Sequence, residues 1–146
     1  MKILVAVDFS ASSKKIVERA EIIANALSAS VWILHVAEPE PDFVGYEAGP
    51  QSVRDSLSEK FHNEHRQIQE MANNLRDKQL DVTALLLQGS TAETILQQAS
   101  KLGVDMIVMG SHGRGAMYQL LMGSVTEAVL HAATCPVLIV PTREHA

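Results

Sequence analysis

Five short apolar runs punctuate the chain: KILVAV (2–7), SVWILHV (30–36), VTALLL (82–87), DMIVM (105–109) and PVLIV (136–140). They are rich in Val, Ile and Leu and do not alternate cleanly with polar residues, the pattern of strands buried on both faces. Between them lie segments of helical period. In 13–27 the apolar positions are Ile16, Val17, Ala20, Ile23, Ala24 and Leu27, with Ser10, Ser12 and Ser13 as capping candidates. The segment 53–76 repeats the spacing with Val53, Leu57, Phe61, Ile68, Met71, Ala72 and Leu75. Residues 91–102 do so with Ile95, Leu96, Ala99 and Leu102, opened by Ser90 or Thr91 and closed by Gly103. Strand alternating with helix predicts parallel pairing through right-handed crossovers, with helices on both faces. The expected fold is an open, doubly wound five-stranded α/β sheet.

A chain of 146 residues is long enough to bury one ordinary core, so 1–146 reads as a single domain. No apolar run approaches the length that spans a bilayer, which argues against direct membrane insertion. Met1-Lys2 followed by an apolar run looks like the start of a secretory signal. Asp8 ends that run too soon for one, and a cytoplasmic location is expected. The formal charge of −5, with no basic stretch longer than Lys14-Lys15, speaks against binding nucleic acid by counterion release. Cys135 is the only cysteine, so no internal disulfide or thiolate cluster can form; it reads as a small hydrophobe at the start of a strand. The stretch AEPEPDFVGYEAGPQS (37–52) breaks the strand–helix rhythm and reads as a long loop. Either it closes over a site or it is a solvated excursion.

The segment GSHGRGAMYQLLMGSVTEAV (110–129) leaves the end of the fourth apolar run with an unusual density of glycine. In open α/β sheets ligands bind beyond the carboxyl ends of the strands, where strand order reverses. Asp8 leaves the first run in the same way, so the two would face one crevice if strands one and four are neighbours. Two standard phosphate loops are ruled out: no glycine precedes Lys-Ser or Lys-Thr, and 110–115 reads G-S-H-G-R-G rather than GxGxxG. What remains is Gly110-x2-Gly113-x9-Gly123-Ser124. Glycines allow backbone N–H groups to approach an anion, and Ser124 opens a helical pattern whose N-terminus favours phosphate. His112 and Arg114, between Ser111 and Gly115, add donors and charge. The alternative is that these glycines only turn the chain and pack a helix.

These residues carry a resemblance. VAVDFS near the start, ILHV ending strand two, and VMGSHGRGAMYQLLMGSVTEAVLHAATCPVLIV together resemble the universal stress protein family over the whole chain. The G-x2-G-x9-G-S spacing is the form found in members that bind ATP. The resemblance implies a Rossmann-like sheet of order 3-2-1-4-5. It implies that Asp8 and the backbone of Val36 contact the adenosine, and that Met109 and Gly110 close around base and ribose. Gly113, Gly123, Ser124 and Val125 would hold the phosphates, with Mg²⁺ riding on them. Ser111, His112, Arg114 and Gly115 complete the candidate loop. Ala6-Val7 departs from the family, whose members often carry a proline and a small hydroxyl residue there, so no contact is carried over to those two positions.

Chemistry beyond binding finds little support in the residues. Asp8 as a phosphoryl-accepting nucleophile lacks a second carboxylate two residues on, where Ser10 stands. The alternatives for it are the adenosine contact, a metal ligand or a plain helix cap. His62, His65 and Glu59 share a helical face without a third strong zinc ligand, and SEKFHNEHRQ reads as solvated. His35 reads as a satisfied core histidine, and His131 has no evident partner. No acid–base pair is visible, so nucleotide should be held rather than turned over quickly. The leading expectation is an ATP-binding regulatory module, the alternatives a slow ATPase or a nucleotide-independent interaction protein. The hydrophobic run 136–140 would be a liability at a sheet edge. The resemblance implies that it pairs with a second copy in a homodimer, with tetramers also open, and that a transporter or signalling protein is the regulated partner.

Overall fold

The computed structural model describes residues 1–38, 51–112 and 122–142, with the backbone alone at 51–55. The order of elements is β1 (Lys2–Ala6), α1 (Ser13–Leu27), β2 (Ser30–Ala37), α2 (Gln51–Arg76), β3 (Val82–Gln88), α3 (Thr91–Leu102), β4 (Met106–Gly110), α4 (Ser124–Ala132) and β5 (Val137–Val140). All five strands pair in parallel in the order β3-β2-β1-β4-β5, the expected arrangement. Ile3 and Leu4 of β1 face Val31 and Trp32 of β2 on one side, and Met106 and Ile107 of β4 on the other. Of the expected loop 37–52, Ala37 extends β2 and Gln51-Ser52 begin α2, because strand pairing and helical hydrogen bonds claim those ends. The stretch 39–50 lies outside the described residues.

Because side chains alternate along a strand, the sheet has two apolar faces and builds two cores. Ile3, Val5, Val7, Val31 and Ile33 point to one face, where Ile16, Ala20 and Ala24 of α1 and Ile68, Ala72 and Leu75 of α2 cover them. Leu4, Leu34, Val36, Ile107 and Met109 point to the other, against Ile95 and Ala99 of α3 and Val129 of α4. The helical contributors are three or four residues apart, so each helix lays one stripe on the sheet. Gly103 terminates α3 in the left-handed conformation (φ 63°), its N–H reaching back to Ser100 O while Val104 N–H bonds Ala99 O. Ser28 does the same for α1 at φ 51°.

Strand order reverses at β1, between β2 on one side and β4 on the other. The fold therefore leaves a crevice above the carboxyl ends of β1, β2 and β4.

Candidate functional site

That crevice is a cleft of about 710 Å³, within the range of small-molecule sites. Its floor is apolar: Ala6, Leu34, Val36, Met109 and Val125 line it with Ile95. Ser124 and Thr126 from the start of α4, with Asp8 and His112, also line the cleft. An apolar slot beside a helix N-terminus suits a ligand with a flat apolar portion and an anionic one. The first N–H groups of α4 have no carbonyl four residues back to bond, and the helix dipole favours negative charge at that end.

Local bonds fix where α4 begins. Gly123, its N-cap residue, donates its N–H to Ser111 O at 2.8 Å, and Thr126 Oγ1 donates to Gly110 O at 2.8 Å. Ser111 in turn donates its N–H to Val140 O at 3.0 Å, tying the chain after β4 to β5. Its hydroxyl lies 3.2 Å from His112 Nδ1 and 3.1 Å from Thr142 Oγ1, and accepts the Thr142 N–H at 3.1 Å. The knot of Ser111, His112 and Thr142 stiffens the exit of β4. Ser111 thus supports the cleft from behind, whereas His112 lines it.

Gly110 owes its lack of a side chain to packing. A Cβ there would stand 2.8 Å from Thr142 Cγ2 and 2.9 Å from Ile16 Cδ1. Gly123 has φ −70°, which any residue adopts. Gly113, Arg114 and Gly115 lie outside the described residues.

Asp8 has a structural task besides facing the cleft. Its Oδ1 accepts the Ser10 N–H at 2.9 Å and faces Ser13 Oγ at 3.3 Å, bracing the turn into α1. Phe9, next in the chain, is left-handed at φ 61°, a costly conformation for a bulky residue.

The polar part of one cleft wall could not be seen in the sequence. Leu57 and Phe61, from the apolar stripe of 53–76, line that wall with Lys60 and Glu64, from the stretch that reads as a solvated face. Glu64 Oε2 lies 3.0 Å from His35 Nε2, with both side chains nearly seven-eighths buried. His35 Nδ1 is 2.8 Å from Val7 O; a carbonyl only accepts, so Nδ1 carries the proton. The Phe9 ring packs on the His35 ring at 4.2 Å between centroids. His35 is a satisfied histidine, as read, but it stands at the cleft rather than in the core.

Cys135 packs against the α3–α4 core. Burial, and then the Asp105 carboxylate, push its thiol above the usual cysteine range, consistent with a small hydrophobe and not a nucleophile. Among the described residues no three His, Cys, Asp or Glu converge as metal ligands. Among the same residues no helix is long and apolar enough to cross a membrane.

A parallel 3-2-1-4-5 sheet with a cleft at its switch point defines a Rossmann-like α/β fold. The chain belongs to the universal stress protein family, whose model matches residues 1–141. A universal stress protein of Thermus aquaticus is 35% identical over 144 residues, covering 94% of this chain and 96% of its own. The solved structure of MJ0577, from Methanocaldococcus jannaschii, superposes with a TM-score of 0.82 at 29% identity, covering 99% of this chain and 97% of that one. An Arabidopsis thaliana family protein solved with AMP bound gives 0.68 at 21% identity, covering 98% and 92%; at that identity the likeness is one of fold.

Proposed function

We propose that the cleft binds ATP and that nucleotide occupancy changes the surface this protein presents to a regulated partner. One observation carries the reading: an apolar slot opens directly onto the N-terminus of α4, which Gly123 and Thr126 strap to the end of β4. The base and ribose would lie against Val36 and Met109, with Asp8 at the adenosine end. The phosphates would meet the amides of Ser124 and Val125, completed by Gly110, Ser111, His112, Gly113, Arg114, Gly115 and Gly123. The AMP bound by the Arabidopsis thaliana relative supports a nucleotide of this class. Mg²⁺ would ride on the phosphates, as the family resemblance implies.

The reading is of a binding module. Both ring nitrogens of His35, the histidine beside the cleft floor, are already engaged, by Val7 O and Glu64. A slow ATPase remains the competing reading, a nucleotide-independent interaction protein the third. The module would work in the cytoplasm as a homodimer through residues 136–140, or as a tetramer, with a transporter or signalling protein as its partner.

Calorimetric titration of nucleotide-stripped protein with ATP, with and without Mg²⁺, tests the reading. Saturation near one ATP per chain, lost in Gly123→Val, supports it. No heat at millimolar ATP removes it and leaves the third reading. Phosphate release that Asp8→Ala abolishes would favour the ATPase.

A further inference from the structure

Among the described residues, three other than glycine take a left-handed backbone: Phe9 at φ 61°, Ser28 at 51° and Gln79 at 66°. Ser28 caps α1. Gln79 closes the turn after α2, donating its N–H to Arg76 O at 2.8 Å. Both stand where helices ordinarily end in this conformation. Phe9 stands elsewhere, between the end of β1 and the start of α1. Its bulky side chain makes the left-handed region costly, and such a conformation persists only where the surroundings over-determine it.

Here the surroundings are built on His35. Val7 donates its N–H to Leu34 O at 2.9 Å, and its carbonyl accepts His35 Nδ1–H at 2.8 Å. Two residues on, the Phe9 ring packs on the His35 ring with centroids 4.2 Å apart and joins the core beneath α1 and α2. One imidazole therefore holds the turn by its backbone before Asp8 and by an aromatic side chain after it. Asp8, between the two holds, lines the cleft. Its Oδ1 accepts the Ser10 N–H at 2.9 Å and faces Ser13 Oγ at 3.3 Å. A change of φ at Phe9 would turn Asp8 relative to Ser10 and Ser13 and break that brace.

We propose that Phe9 and His35 are positioning residues for the nucleotide. The left-handed turn they hold sets the direction of the Asp8 carboxylate, so that the adenosine end of the cleft is formed before the ligand arrives. The inference rests on the nucleotide reading above and adds to it the residues that pre-organise one end of the site. Phe9 acts through Asp8 and needs no contact with the ligand. Were the turn free to relax to the right-handed region, only the left-handed fraction of molecules would bind, and the apparent affinity would fall by that fraction.

Calorimetric titration of the full chain and four variants with Mg-ATP, each well below its own melting temperature, tests the turn. All four variants lose the Phe9 ring, and they differ in how well the new residue tolerates the left-handed region. Phe9→Ala and Phe9→Val should weaken ATP about five- to thirtyfold, Val the more because it is β-branched. Phe9→Gly and Phe9→Asn, which accept that region readily, should stay within about threefold of the wild type. A wild type that binds ATP while all four variants lose affinity equally, or none does, overturns the positioning role and leaves the nucleotide site standing. Loss of the fold in both Ala and Val variants assigns the turn to folding and overturns the role as well. Absence of ATP binding by the wild type overturns both readings.

Discussion

Thr126 donates its hydroxyl to the carbonyl of Gly110 at 2.8 Å, a buried bond that joins the first turn of α4 to the last residue of β4. Thr126 is 2% exposed, so neither partner has water as a substitute. The bond decides where the N-terminus of α4 points, and so whether a helix dipole faces the cleft at all.

Thr126→Val keeps the shape and removes the donor, leaving the Gly110 carbonyl buried and unpaired. A loss of about 1–3 kcal/mol in denaturant unfolding is expected. Thr126→Ser, which retains the hydroxyl, should cost less. Equal stability of the Val variant and the wild type would show that the strap is dispensable.

Gly110→Ala places a methyl 2.8 Å from Thr142 Cγ2 and 2.9 Å from Ile16 Cδ1. Ile16 is 3% exposed and has little room to yield. Overpacking of this kind costs about 1–3 kcal/mol, and thermal melting should register it as a clear drop. Adding Thr142→Gly to Gly110→Ala should recover part of the loss.

Cys135 should react slowly with iodoacetamide in the folded protein. Its raised thiol pKa means that the fold favours the neutral form, a preference fully present at neutral pH and lost as pH rises through the folded value. The ratio of folded to denatured labelling rates should therefore be well below one at pH 7 and climb on alkalinisation. A ratio near one throughout would contradict the burial that causes the shift.

The free edge of β5 gives a test of self-association. Pro136 O and Val140 O accept from Ile107 and Ser111, so even-numbered residues of β5 bond β4 and Val137 and Ile139 turn their backbone groups outward. If the homodimer forms through this edge, the wild type sediments as a dimer. Ile139→Pro, which deletes an outward donor and spares the β4 ladder, should then sediment as a monomer. A dimer that survives the substitution would place the interface elsewhere.

Much of the architecture could be read from the chain because it depends on local periodicity. The unalternating runs 2–7 and 105–109 announced strands buried on both faces, and Ile16, Ala20 and Ala24 announced the stripe by which α1 covers them. The strand order came from the resemblance, and the pairing of β1 with both β2 and β4 agrees with it. The glycine-rich exit from β4 begins at the carboxyl edge of the sheet, where the cleft lies. Its residues 113–121 lie outside the described structure, so the role of that loop stays with the proposed reading.

The polar part of the α2 wall was hidden for a physical reason. SEKFHNEHRQ is polar because most of its residues face water, and Glu64 differs from its neighbours only in what the fold brings against it. Nothing within a few residues of Glu64 signals His35, nor does anything near Gly110 signal Thr126 or Thr142. Composition and hydrophobic period by themselves determined the elements and the doubly wound class, because those follow from which faces must be buried. The tertiary structure alone decided which polar groups meet there. A hydrogen bond or a close packing contact depends on a few ångströms between residues far apart in the chain, and only the assembled sheet sets that distance.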